Sequence, residues 1–273
     1  MVTVAVGNPD RSPYALARDD LRAGWEKRGS WWLLARQSIQ SSYRRTVLGP
    51  FWITLQQLVW VLGIGVVYSQ LFKVERSGFI PLLAYGVLIW SFIAGALTSA
   101  PALYSDSASY LSSSTLPVSF YTFQSLANQA LTFLHSAVVM VLIPIVYGVR
   151  PTLAAIGLVP AALALILVNA FGAMLWLAPL GLRFRDVRVA INAIVPLMMF
   201  MTPIFWDPSQ LPKRHWVVVI NPMAWPVLSA RDPLLGRPAD RGLWMLLLAG
   251  TVVNLVIAFV SFSRSRRRIR YWL

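Results

Sequence analysis

From Phe51 to Phe72 the chain runs for 22 residues without a charge. As a helix rising ~1.5 Å per residue, this stretch is roughly 33 Å long, enough to cross a hydrocarbon core of ~30 Å. It is entered through Arg44-Arg45-Thr46-Val47-Leu48-Gly49-Pro50. Gly49-Pro50 breaks a preceding helix and opens the next, because proline is suited to a first helical turn. Arg44 and Arg45 lie just before that break, where arginines anchor a membrane helix end on the cytoplasmic side. The junction between a surface helix and a first membrane span is expected here.

The rest of the composition agrees. Only 12% of the 273 residues are charged and 57% are hydrophobic, against about 25% charged in an average soluble domain. No ten-residue alternation of the outer-membrane barrel kind occurs, so the fold class expected is an all-α integral membrane protein. The polar first thirty residues lack a short apolar core with a cleavage site, so no signal peptide is expected. Cysteine is absent, which excludes disulfides, thiol catalysis and Cys metal sites. The excess of 24 Lys and Arg over 10 Asp and Glu clusters at the ends of apolar runs. Topology alone requires such an excess, so nucleic acid is not expected as a partner.

Residues 1–30 read as a cytoplasmic lead with nearly balanced charge and a helix from Tyr14 to Lys27. Ser30 is placed to cap a helix from Trp31 to Thr46. On its wheel Trp31, Trp32, Leu34, Ala35, Ile39 and Tyr43 share one side; Arg36, Gln37, Gln40, Ser41 and Arg44 share the other. Such a helix lies in the membrane interface or packs on the bundle periphery. A six-span domain is expected over 47–263, followed by a basic cytoplasmic tail over 264–273. The spans are Phe51–Phe72, Phe79–Tyr104, Ser125–Tyr147, Leu153–Leu180, Val189–Trp206 and Gly242–Phe262. Ser91, Gly95 and Ser99 form a small-residue seam for close helix packing. Between spans 5 and 6, the proline-rich residues 207–242 hold two apolar pieces too short to cross, which suggests re-entrant helices. Sixteen basic residues on the side of the termini against eight on the other place both termini in the cytoplasm.

No GxxxxGK[ST] pattern is present, so no P-loop cradles ATP here. No carboxylate pair lies inside a span, which argues against a proton-coupled carrier. Gln56, Gln57, Asn128, Gln129, Asn169, Asn192 and Asn254 are expected to hydrogen-bond between helices. His135 serves packing or gating, and His215 is expected at the interface. Aromatic residues are dense along spans 1, 2 and 5. Trp60, Tyr68, Tyr85, Trp90, Phe200 and Phe205 either pack the core or line a conduit, where rings stack on the apolar faces of sugars.

Tyr43-Arg44-Arg45-Thr46-Val47-Leu48-Gly49-Pro50-Phe51-Trp52 resembles the YR-x-[ST]-x-LGP-x-W opening of ABC-2 type permeases, the membrane subunits of polysaccharide exporters. Phe184-Arg185-Asp186 is similar to the family's [FY]RD loop. Thr202-Pro203-Ile204-Phe205-Trp206 is similar to its TP-[IV]-[FY]-[WY] motif. Asn221-Pro222-Met223 and Arg231-Asp232-Pro233-Leu234-Leu235-Gly236 resemble its NP and R-x-P-LLG segments. The resemblance implies a homodimer joined to two copies of an ABC ATPase subunit, with ATP and Mg bound there and no cofactor on this chain. It implies that the helix before span 1 is a gate helix, and that the loop between spans 2 and 3 docks on the ATPase. Ser105, Asp106, Tyr110, Leu111 and Leu116 are the docking candidates. That loop lacks the basic residues usual in the family, so the docking expected is polar and apolar.

The function expected on this resemblance is export of a lipid-linked polysaccharide of O-antigen, capsule, teichoic acid or galactan type across the cytoplasmic membrane. No chemistry is catalysed. Arg44 and Arg45, with Trp31, Trp32 and Arg36, are the candidates for the lipid pyrophosphate, since arginine matches phosphate with a planar fork of donors. Orientation of the first span is the alternative role for the two arginines. An exporter of a small lipid or drug, and a polyprenyl-phosphate glycosyltransferase, are the competing readings. The second would need an acidic cluster, and Asp106 and Asp186 are isolated in sequence.

Overall fold

The computed structural model describes residues 11–71, 73–211 and 216–273. Residues 1–10 of the lead, Phe72 at the expected end of span 1 and His215 lie outside them. Among the described residues every regular element is a helix. Among these residues, five helical segments are long and apolar enough to cross a membrane. They are α3 (Phe51–Leu71), α4 (Arg76–Ser99) with its continuation, α7 (Val118–Ser136) with α8 (Val138–Tyr147), α9 (Ala155–Arg183) and α13 (Arg241–Trp272). The continuation of α4 is a 3-10 turn, Ala100–Ala102, and α5 (Leu103–Asp106). A separate short helix, α6 (Ala108–Ser113), completes the loop that follows.

The expected fifth span differs. It forms α10 (Asp186–Met201), 16 residues or roughly 24 Å, shorter than a hydrocarbon core. Pro203 disfavours helical backbone at Thr202, and Thr202 is extended, with ψ 140°. The remaining residues, to Trp206, turn back instead of continuing the helix. Beyond them lie α11 (Trp216–Ile220) and α12 (Ala224–Leu234).

The described part of the lead and the basic segment at the other end are helical. Ser12 accepts a hydrogen bond from the Ala15 N–H and Pro13 occupies the first turn of α1 (Pro13–Glu26). The next helix, α2, spans Arg28–Ser42 instead of 31–46. Ser30 lies inside it and caps nothing; the Ser30 and Trp31 N–H groups both reach the Lys27 carbonyl, so α2 starts off the end of α1. It ends before the Gly-Pro break because Arg45 and Gly49 take left-handed φ values of 70° and 55°. The basic segment 264–273 is no loose tail, since α13 runs unbroken for 32 residues.

Helices in lipid gain nothing from hydrophobic expulsion, so they are held by close contact and hydrogen bonds. α9 sits at the centre, with α13 along it. Asn169 donates to Thr251 at 2.6 Å, Asn254 donates to the Asn169 carbonyl at 2.9 Å, and Trp176 donates to Asn254 at 3.1 Å. Gly172 makes room for this, because a Cβ there would lie 2.8 Å from Asn254. At Gly181 a Cβ would lie 2.2 Å from the Pro101 carbonyl oxygen, so α9 touches the 3-10 turn backbone to backbone. Gln129 of α7 docks on the small-residue seam of α4, donating to Gly95 at 3.2 Å.

Two interruptions of the α7–α8 span are repaired from neighbouring helices. Pro144 has no N–H for the Met140 carbonyl; the Tyr85 hydroxyl meets that carbonyl at 3.4 Å. The break at Ala137 leaves the His135 carbonyl to Thr54, which donates at 2.6 Å. His135 turns its own ring onto the Leu131 carbonyl at 2.8 Å.

Candidate functional site

The aromatic residues separate into two groups. Trp60 and Tyr68, two turns apart on α3, and Phe200 at the end of α10 converge on Phe205 in the turn that follows. Ring centroids lie 6.2 Å (Trp60), 6.0 Å (Tyr68) and 5.4 Å (Phe200) from that of Phe205, and Phe200 stacks on it at 17°. Phe200 is 60% exposed and Trp60 40%, so these rings present an aromatic face. Tyr85 and Trp90 are buried in α4. Tyr85 packs the core and seals the carbonyl at Pro144.

Trp90 does border an open space. A cavity of about 340 Å³ lies between α3, α4, α7 and α10, with Gln56, Gln57, Trp60, Trp90, Ser91, Gln129, Thr132 and Ser136 in its wall. The Gln57 amide nitrogen is buried there without a hydrogen-bond partner among the described residues. No charged side chain lines it. Amides, hydroxyls and two indoles suit a neutral ligand rich in hydroxyls better than an ion.

The gate-helix candidates are spread out. Trp31 stacks on Phe123 of α7 at 5.7 Å and donates to the Gly24 carbonyl at 3.2 Å. Phe123 in turn stacks on Phe171 of α9 at 4.7 Å. Trp31 thus anchors α2, with Ala35 and Ile39 buried beneath it. Trp32, Arg36, Arg44 and Arg45 are exposed. In the loop between the second and third apolar segments, Tyr110 is 67% exposed, Ser105 and Asp106 are exposed and Leu116 is half-buried. Leu111 is 1% exposed and packs with Tyr104, Val118 and Phe120, so it holds the loop from inside.

Asp20 belongs to the lead of nearly balanced charge. Its side chain is fully buried. It accepts from the Val118 and Ser119 N–H groups at 3.2 and 2.9 Å, capping the first turn of α7 from another helix. Arg266 of α13 donates to it at 2.7 Å. Gly24, one turn on, lies so close to Ser119 that a Cβ would stand 2.3 Å from its hydroxyl. One signal was available: Leu16, Ala17, Asp20 and Gly24 share one helical face. Nothing in the run of five late arginines marks Arg266.

At the other end of the bundle, three of the motifs lock together. Asn221 donates to the Thr202 hydroxyl at 3.1 Å and to the Met201 carbonyl at 3.3 Å, capping the end of α10. Arg231, with no exposed surface, donates to the Pro203 carbonyl and to Asp232. Arg237 pairs with Asp207 at 2.6 Å. Burial alone would raise the Asp207 pKa, but two hydrogen bonds from Ser209 and the charge of Arg237 outweigh it and hold the carboxyl below its usual range.

Comparison with known proteins identifies the family. A family model described as ABC-2 type transporter matches residues 29–235. An O-antigen export system permease protein RfbA of Klebsiella pneumoniae is 21% identical over 237 residues, covering 86% of this chain and 92% of its own. A protein of the same name from Myxococcus xanthus is 24% identical over 254 residues, covering 90% and 96%. Because the match covers residues 29–235, well over half of the chain and including the aromatic face and the Asn221 and Arg231 contacts, this multi-pass membrane protein belongs to the ABC-2 type transporter family.

Proposed function

We propose that this chain is the permease subunit of an exporter that carries a lipid-linked polysaccharide across the cytoplasmic membrane. Two copies pair, and two separate ATPase subunits bind ATP and Mg and supply the energy. In this reading α10 and the turn after it make a sixth crossing, α11 and α12 are re-entrant from the outside, and both termini are cytoplasmic. Closure of the ATPases moves α5 and α6, and the two permeases part along α3 and α10. Arg44 and Arg45 meet the lipid pyrophosphate at the inner surface.

The observation that carries this reading is the aromatic face of Trp60, Tyr68, Phe200 and Phe205 beside an uncharged, amide-lined cavity. Rings give a sugar chain a surface to slide on, and amides exchange hydrogen bonds as it passes. The names of the relatives support the same substrate class. The test is Trp60→Ala and Phe205→Ala, with export and membrane abundance measured together. Each ring contributes on the order of 1 kcal/mol of contact, so export per molecule falls about fivefold at unchanged abundance. Parallel loss of both quantities refutes a substrate role for the rings.

A further inference from the structure

α13 carries a second feature, independent of the transport path. Arg264 lies 23 residues beyond Arg241, roughly 34 Å along the helix, so it reaches the headgroup level of a ~30 Å core. Ala258, Phe262 and Ile269 form the buried side of this part of α13. The opposite side bears a shallow groove lined by Val256, Ile257, Val260, Ser261, Arg264 and Ser265. At helical spacing, Ile257, Ser261, Arg264 and Arg268 form one stripe. It is apolar above, with Val256 58% and Ile257 47% exposed, and basic below. Arg266 and Arg267 are engaged with Asp20 and the Arg11 carbonyl. Arg264, Arg268 and the hydroxyls of Ser261 and Ser265 have no partner among the described residues.

We propose that this stripe is a binding site for an anionic phospholipid. The phosphate is held by the guanidinium groups of Arg264 and Arg268 and by the two serine hydroxyls, and an acyl chain lies along Val256, Ile257 and Val260. The charge of the stripe requires an anion. Guanidinium is the group that matches phosphate oxygens with paired donors. The apolar groove directly above selects a lipid over a free phosphate.

The experiment uses the full chain purified in a neutral detergent, with phosphatidylglycerol and phosphatidylcholine as probes. Retained lipid is counted by native mass spectrometry and thermal unfolding is followed in parallel. Phosphatidylglycerol is retained and raises the unfolding temperature; phosphatidylcholine does neither. Arg264→Gln with Arg268→Gln weakens phosphatidylglycerol retention roughly 25-fold, since each arginine near an anionic lipid contributes about fivefold. Arg264→Lys with Arg268→Lys keeps the charges that orient the helix and loses an intermediate amount. Arg18→Gln with Arg22→Gln removes the same charge from α1 and retains lipid as the wild type does. Equal losses in the α1 and α13 variants would reduce the effect to net charge and overturn the site. Equal stabilisation by inorganic phosphate alone would overturn the lipid assignment.

Discussion

Replacing Asp20 with alanine tests whether the lead helix is part of the membrane domain's fold. The carboxylate is fully buried and serves three donors on two other helices. Losing an N-cap costs about 1 kcal/mol. Leaving one member of a buried ion pair alone costs about 3–5 kcal/mol, but Arg266 keeps 24% of its side-chain surface and can recover some hydration. Asp20→Ala is therefore expected to destabilise the protein by about 3–4 kcal/mol. Asp20→Asn keeps one acceptor and costs less. The cycle of Asp20→Asn with Arg266→Gln should give a coupling of about 1–3 kcal/mol. Unfolding in mixed micelles, followed by tryptophan fluorescence, measures each term. An Asp20→Ala protein within about 0.5 kcal/mol of wild type, or a coupling near zero, would show that α1 rests on the bundle without supporting it.

Gly181→Ala should destabilise by about 1–3 kcal/mol or more, because its Cβ would meet the Pro101 backbone, which cannot rotate away; wild-type unfolding would refute the contact. The Asp207–Arg237 pair should be fully effective above about pH 4, the unfolded carboxyl value. Since the folded pKa is depressed, that stability is lost as pH falls through the folded value. Protease sensitivity of the 202–240 segment should therefore rise at acid pH in the wild type and rise less in Arg237→Gln, where only the Ser209 hydrogen bonds still favour the carboxylate. Tyr110→Asp should release the ATPase subunit while leaving the chain folded, since the ring is exposed; co-purification at wild-type yield would count against docking through it.

The long apolar runs made most of the helices legible, because nothing but a membrane span accommodates them. Their ends were less so. α10 stops at Met201 because Thr202 precedes a proline, a local rule visible in the sequence but outweighed by the apolar run that continues to Trp206. Ser30 has the right chemistry for a cap, yet α2 begins at Arg28, three residues before the expected start, off the end of α1. Side-chain direction was the least legible. Tyr110 and Leu111 are neighbours, but one is exposed and the other sealed. Only the contacts of α6 decide that. Tyr85 and Phe200 belong to one aromatic count, whereas the proline at 144 draws Tyr85 inward. Asp20 was readable from its spacing with Leu16, Ala17 and Gly24, because a charge on the buried face of a helix needs a partner.

The buried guanidinium of Arg231 follows from the same prolines that shorten α10. Pro203 ends the helix and turns its own carbonyl inward, where lipid and packed side chains offer no water. An unmet carbonyl at that depth costs several kcal/mol, and a guanidinium on α12 satisfies it. Asn221 does the same for the Met201 carbonyl. With those two carbonyls held, the chain folds back and stacks Phe205 on Phe200. Trp206 closes the turn by donating to the Phe200 carbonyl at 3.1 Å. The lock therefore fixes the backbone on which the aromatic face stands, without contributing a ring to it. On the substrate role proposed for the face, changes of substrate should fall on the side chains at 60, 68, 200 and 205, while Asn221 and Arg231 stay bound to the Met201 and Pro203 carbonyls.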